Sequence, residues 1–333
     1  MEYRLLGRSG LKVSKLCFGC MTFGNSQWGI GGVDERLAAE MAAACFDHGL
    51  NFFDTADVYS HGESETLLGK ALGSRRKEAV VATKVRGRMG KGPNDVGLSR
   101  QHILESCDAS LKRLGTDHID LYQVHSFDPE TPLEETLRAL DDLVRWGKVR
   151  YIGVSNFAAW HLTKALWVSD KAGLERFVSL QAYYSLVGRD LEFELVPLCL
   201  DQGLGILPWS PLAGGFLSGK YRKDAPIPEG RLKGQLGDFI PINKEQGYKI
   251  LEVLENTARA KEASVAATAL AWLIHKPGVT SVIIGARTME QLQGNLKAAE
   301  IMLSNSEVER LENASAVPLP YPQWMLAFTQ ADR

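Results

Sequence analysis

Short apolar runs alternate with helix-period segments eight times along this chain, and few folds accept that order. The runs are KLCFG, NFFDTA, AVVATK, HIDLYQV, VRYIGVS, VSLQA, LGILPWS and TSVIIG. Each has the length and content of a buried strand. Between them lie segments such as VDERLAAEMAAACFDHGL and SRQHILESCDASLKRLG, apolar at helical spacing and closed by Gly49 and Gly115. Ser64 is expected to open SETLLGKAL, and Thr131 to cap the helix after the fourth strand with Pro132 in its first turn. The expected fold is α/β, a closed (β/α)8 TIM barrel. A doubly wound open sheet also alternates. Against it, no G-x-G-x-x-G follows any strand and no midpoint linker divides the chain.

The rest of the chain is assigned around that repeat. YRLLG and LKVS flank Arg8, Ser9 and Gly10 and read as a hairpin over residues 1–15, expected to plug one end of the barrel. All 333 residues are read as one domain. Three loops are long: RGRMGKGPNDVG, the Gly- and Pro-rich stretch 209–243, and the tail 315–333. Long loops within a compact domain usually carry function, and all three are expected on or near the catalytic face.

Composition excludes several function classes. The net charge is −2, which leaves no electrostatic footprint for nucleic acid or an anionic membrane. No stretch approaches the roughly 18 apolar residues of a membrane span. The five cysteines form no disulfide framework, and no apolar signal segment opens the chain, so a cytoplasmic setting is expected. Cys17 and Cys20 make a lone C-x-x-C, read as strand-end packing, with a redox pair as the alternative. No metal site is expected, and the sequence says nothing of self-association.

Candidate chemistry falls at consecutive strand ends. Asp54 closes NFFD with Tyr59 five residues on, Lys84 closes AVVATK, and His125 follows IDLYQV. In a parallel barrel these ends share one mouth. A free phenol titrates near 10 and is a poor acid at neutral pH, but a neighbouring ammonium favours its ionised form. Lys84 can supply that charge, Asp54 can hold Lys84 protonated, and His125 can hydrogen-bond the phenol or a bound carbonyl. The set can protonate a developing alkoxide but has no hydride of its own. A nicotinamide is the natural source.

The segments FFDTADVYSHGESETLLGKAL, VVATK, DHIDLYQVH, GKVRYIGVSNF, QAYYSLVGRDLE, LGILPWSPLAGGFLSGKY and SVIIGARTMEQLQGNL closely resemble the aldo-keto reductase superfamily, in its bacterial aryl-alcohol-dehydrogenase-like and potassium-channel-beta-like branch. The resemblance runs from the hairpin to the last helix. It implies a (β/α)8 barrel and NADPH-dependent reduction of aldehydes or ketones. It maps the catalytic tetrad onto Asp54, Tyr59, Lys84 and His125, with Tyr59 as proton donor. It assigns Ser155, Asn156 and Gln181 to the nicotinamide carboxamide, and a ring at Tyr183 or Tyr184 to the nicotinamide face. Gly19, Cys20 and Met21 would border the cofactor, with Cys20 where many relatives carry a small hydroxyl residue. A reactive thiol at Cys20 is one expectation from that departure. Trp209, Ser210, Pro211, Leu212 and Gly214 resemble the start of a loop over the pyrophosphate.

That loop also holds GGFLSGK, the spacing of a P-loop without its Ser or Thr, since Tyr221 follows Lys220. Glycine backbone and Lys220 still suit a pyrophosphate. Gly285 and Arg287 of IIGAR fall where the family binds the adenosine phosphate. A guanidinium there favours NADPH over NADH. Gln291 and Asn295 lie four apart and would contact the adenine. Trp28, Phe127 and the tail residues Tyr321, Trp324 and Phe328 are expected as aromatic walls for a small-molecule carbonyl. Rival readings are a Schiff-base lyase using Lys84 and a nucleotide-sensing binding module.

Overall fold

Strand β1 (Tyr3–Leu5) and strand β2 (Lys12–Ser14) form the N-terminal hairpin, with Tyr3 opposite Ser14. The computed structural model describes residues 1–25, 31–221, 223, 226 and 239–330. Trp28, most of 222–238 and the last three residues of the tail lie outside the described residues.

Eight parallel strands follow: β3 (Leu16–Gly19), β4 (Phe52–Asp54), β5 (Val80–Val85), β6 (Ile119–Val124), β7 (Val149–Ser155), β8 (Ser179–Tyr183), β9 (Gly205–Trp209) and β10 (Val282–Ile284). They pair in chain order from β3 to β9, and β10 returns to pair with β3. The last gap is closed just before β10. There Ile206 donates to the Gly278 carbonyl at 2.9 Å and accepts from Thr280 N at 2.9 Å. Helices alternate with the strands, so the chain is a TIM barrel, and the expected strand–helix order holds throughout.

Strand parity sorts the core into two parts. Residues of one parity face inward: Cys17, Phe52, Val80, Ala82, Leu121, Leu207 and Ile283 pack with Leu6 and Val13 of the hairpin. The hairpin thus plugs the floor of the barrel. Residues of the other parity meet the helices in a larger cluster that includes Phe18, Phe53, Val81, Tyr122 and Leu180. Above the floor the inward positions turn polar. They are Asp54, Lys84, Gln123 and Gln181, all buried.

Cys17 and Cys20 sit three residues apart, so parity sends them to opposite faces. Cys17 joins the interior cluster and Cys20 the outer one. Burial pushes both thiols up, well above the usual range. Two buried free thiols on opposite sides of the strand end disfavour both the redox pair and a reactive thiol at Cys20.

Two helix starts differ from expectation. The helix Glu63–Leu72 begins one residue before Ser64, after a left-handed Gly62. A Cβ at Gly62 would stand 2.6 Å from Arg113 Cδ. Ser64 instead donates to the Cys20 carbonyl at 2.7 Å, tying that helix to the end of β3. The helix Leu133–Arg145 has Pro132 as N-cap and no side-chain cap. Thr131 is drawn away, donating to Asp128 Oδ2 at 2.7 Å.

Candidate active site

A cavity of about 370 Å³ opens at the C-terminal ends of the strands. Asp54, Tyr59 and His125 line it, and Lys84 lies fully buried behind them. Asp54 ends β4, Lys84 is the fifth residue of β5, and His125 directly follows β6. Tyr59 reaches the same mouth from a tight turn in which Ser60 and His61 have φ of +48° and +53°. Such left-handed geometry in non-glycine residues is costly and persists where the surroundings enforce it. Ser60 is held by donating to the carbonyls of Phe23 and Asn25, each at 2.9 Å.

Lys84 uses all three of its donors. Nζ gives hydrogen bonds to Asp54 Oδ1 at 2.5 Å, to the Thr55 carbonyl at 2.8 Å and to Tyr59 Oη at 3.3 Å. Burial works against its charge, but the Asp54 carboxylate and the Tyr59 phenol outweigh burial and hold the ammonium well above the ordinary lysine range. His125 is neutral, because burial and the charges of Lys84 and Arg86 lower its pKa to about 3. Its ring stands edge-on to Tyr59, centroids 5.8 Å apart.

The cavity wall continues around the barrel with Gly19, Met21, Ser155, Asn156, Gln181, Trp209, Ser210, Pro211 and Gly285. Asn156 and Ser210 are left-handed, at +54° and +49°. Asn156 donates to the His125 carbonyl at 2.9 Å and accepts from the Trp209 indole at 3.1 Å. Ser155 Oγ is buried and has no hydrogen-bond partner among the described residues.

Neither tyrosine after Gln181 lines the cavity, and parity turns them to opposite sides. Tyr183 faces Trp209, with ring centroids 5.2 Å apart. Tyr184 points outward, is fully buried, and donates to Glu192. Leu212, Gly214, Lys220, Arg287, Gln291 and Asn295 do not line this cavity, but several are tied to residues that do. Gly214 N donates to Ser210 Oγ at 3.2 Å, and Asn295 donates to the Gly285 carbonyl at 3.1 Å. Gln291 accepts from Arg287 N at 2.8 Å.

Cys20, Phe127 and the tail residues Tyr321, Trp324 and Phe328 do not line this cavity. Cys20 faces the outer core for the reason of parity given above. Phe127 lies flat on His161, centroids 3.7 Å apart, and packs edge-on to Phe157. Trp324 sits on the terminal helix Gln323–Gln330, half exposed, beside Tyr321. Phe239 is an unforeseen wall residue that approaches Trp209, centroids 6.2 Å apart. Its place depends on a long loop whose course no periodicity encodes. Gln123 is a buried polar residue next to the wall that no motif marks. A lone glutamine at an inward position of an apolar strand was the available signal.

The model of the Aldo/keto reductase family matches residues 15–316. This chain belongs to that family. The chain is 43% identical to the uncharacterized oxidoreductase YrpG of Bacillus subtilis (strain 168), over 94% of this chain and 95% of that one. It is 37% identical to the versiconal hemiacetal acetate reductase of Aspergillus parasiticus, over 94% and 96%. It is 39% identical to a probable voltage-gated potassium channel subunit beta of Arabidopsis thaliana, over 91% and 92%. As an aldo/keto reductase family oxidoreductase it is an enzyme of nicotinamide chemistry. Among the described residues, no helix is long and apolar enough to cross a membrane.

Proposed function

We propose that this aldo/keto reductase reduces aldehydes or ketones to alcohols with NADPH, taking the proton from Tyr59. The observation that carries the reading is the arrangement around Lys84. An ammonium fully engaged by Asp54, Thr55 and Tyr59 sits directly behind a phenol at a cavity wall.

The residues present suit a nicotinamide. Ser155 Oγ is an orphaned buried hydroxyl at the cavity wall. Gln181 spends its Nε2 on Asp54 and Gln123, which leaves Oε1 as its acceptor. A hydroxyl and an amide carbonyl together match the acceptor and donor ends of a carboxamide. Tyr183 would support the ring face. Gly285 has open space where a Cβ would stand.

A nicotinamide bound here supplies a hydride to the carbonyl carbon. The protein supplies the rest. Tyr59 accepts a hydrogen bond from Lys84, and its own O–H proton passes to the carbonyl oxygen as negative charge develops there. Lys84 stabilises the phenolate left behind, and Asp54 keeps Lys84 charged and in place. His125, being neutral, retains one ring N–H that can hydrogen-bond the same oxygen.

Arg287 and Lys220 support the choice of NADPH. Burial and the Arg287 charge both lower the Lys220 pKa, so the two cations are close enough to feel each other. Two neighbouring cations suit a phosphate dianion such as the 2′-phosphate. A Schiff base on Lys84 is disfavoured, since it needs a neutral amine and this one is held charged.

The test is a fluorescence titration with NADPH and NADH, followed by a panel of aldehydes, aryl ketones and quinones monitored at the cofactor's absorbance. NADPH binding with carbonyl-dependent oxidation supports the reading. Nucleotide binding without turnover on any carbonyl would favour a sensing role instead, and no binding would sink both.

A further inference from the structure

We infer that Gln123 is a positioning residue for this reaction, one that ties the Asp54 carboxylate to the Gln181 amide so that both keep a single orientation. The inference rests on the proposed function and extends it to a residue that the cavity does not touch.

Three side chains from alternate strands form one interior layer. Asp54 comes from β4, Gln123 from β6 and Gln181 from β8. Gln123 Nε2 donates to Asp54 Oδ2 at 3.0 Å, and Gln181 Nε2 donates to the same oxygen at 2.8 Å. Gln181 Nε2 also donates to Gln123 Oε1 at 3.2 Å. Asp54 Oδ1 is left to Lys84. A carboxylate only accepts, so both amides must turn their nitrogens toward it. That requirement fixes which way each amide faces.

Gln123 is fully buried and does not line the cavity. The inward residues below it are Leu121, Ala82 and Leu207, so an apolar side chain would be the ordinary filling here. A buried amide is kept only with its hydrogen bonds made, and both of these run to the site. One holds Asp54 with Oδ1 aimed at Lys84. The other gives the second Nε2 proton of Gln181 a fixed acceptor, which keeps Gln181 Oε1 as the group left for the cavity. Without Gln123, Gln181 is held by Asp54 Oδ2 alone, so its amide keeps its facing but loses one of two anchors and aims Oε1 less tightly. The expected consequence has two parts: slower proton donation through a misaligned Lys84, and weakened recognition of an N–H on the nicotinamide.

The test uses Gln123→Leu in the full chain, with Gln123→Met as the second variant should leucine fail to fold. Two quantities are read. The first is kcat with a carbonyl that the native enzyme reduces. The second is the ratio of dissociation constants for NADPH and its 3-acetylpyridine analogue, which lacks the carboxamide N–H. Native protein should favour NADPH roughly tenfold, the worth of one hydrogen bond. In the variant that ratio should narrow by about threefold or more, and kcat should fall about tenfold to a hundredfold. A purely structural role would weaken both nucleotides alike and leave the ratio standing. An unchanged ratio with kcat within about twofold of native overturns the inference. If native protein binds no nucleotide, or reduces no carbonyl, the proposed function has failed instead, and that outcome is visible before any variant is made.

Discussion

Lys84 Nζ donates to Tyr59 Oη across 3.3 Å and lies 4.9 Å from the centre of the same ring. The cation therefore acts on the phenol oxygen at close range inside a site sheltered from water, where its charge is weakly screened. Removing it should matter for both chemistry and folding. Lys84→Met is expected to lower kcat by about 10²–10⁴-fold. It should also destabilise the fold by roughly 3–5 kcal/mol, because Asp54 is left as a buried charge without its cation. Adding Asp54→Asn should restore part of the stability and none of the turnover. Denaturant unfolding beside steady-state kinetics separates the two effects, and full turnover in Lys84→Met would contradict the role given to the ammonium.

His125 should contribute no ionisation near neutral pH. Its pKa is lowered from 6.5 to about 3 by burial, Lys84 and Arg86. A base with a depressed folded value costs stability as pH falls from about 6.5 toward 3, since only the unfolded chain gains the proton. Nitrogen NMR of the imidazole should report a neutral ring down to about pH 4. A ring that titrates near its ordinary value would contradict a neutral imidazole at this site.

Asp57 behaves in the opposite sense. It is fully buried two residues before Tyr59, with Oδ1 accepting from Val58 N and Oδ2 without a partner among the described residues. Burial and Glu65 raise its pKa from 3.8 to about 7, against the lowering effects of the Val58 N–H, Arg113 and Lys84. The folded protein holds this proton while an unfolded chain releases it. The stabilisation is thus full below about pH 4 and is lost as pH rises through about 7, by up to about 4 kcal/mol. Asp57→Asn should flatten thermal stability between pH 5 and pH 8 and raise it at the upper end. Parallel pH profiles for the two proteins would rule this out.

Arg287 tests the choice of cofactor. Arg287→Ala should weaken NADPH by about tenfold or more, since charge-assisted contacts to phosphate are among the stronger ones, and should barely change NADH. Dissociation constants for the two nucleotides decide it. Equal losses would assign Arg287 to the scaffold.

Much of this was legible in the sequence because strands bury side chains with a period of two. The eight apolar runs gave the barrel, and their ends gave Asp54, Lys84 and His125 a common mouth. The same period would have placed Cys20 in the outer core and turned Tyr183 and Tyr184 to opposite sides. It would also have singled out Gln123 as a polar residue facing inward. The loops were less readable. Phe127 stacks on His161, and Trp324 lies on an exposed terminal helix, because tertiary contacts rather than periodicity aim those rings. Thr131 and Ser64 stand where helix openers are expected, yet each hydroxyl is turned to donate elsewhere, to Asp128 and to the Cys20 carbonyl.

The central claim is that Tyr59 gives the proton while the nicotinamide site stays independent of it. Tyr59→Phe removes one oxygen and keeps the ring. Measuring kcat with a reducible carbonyl, together with NADPH affinity by fluorescence, tests this most directly. The expected result is a fall in kcat of about 10²–10⁴-fold with NADPH affinity essentially native. Native turnover in Tyr59→Phe, or loss of NADPH binding in step with turnover, would contradict the account.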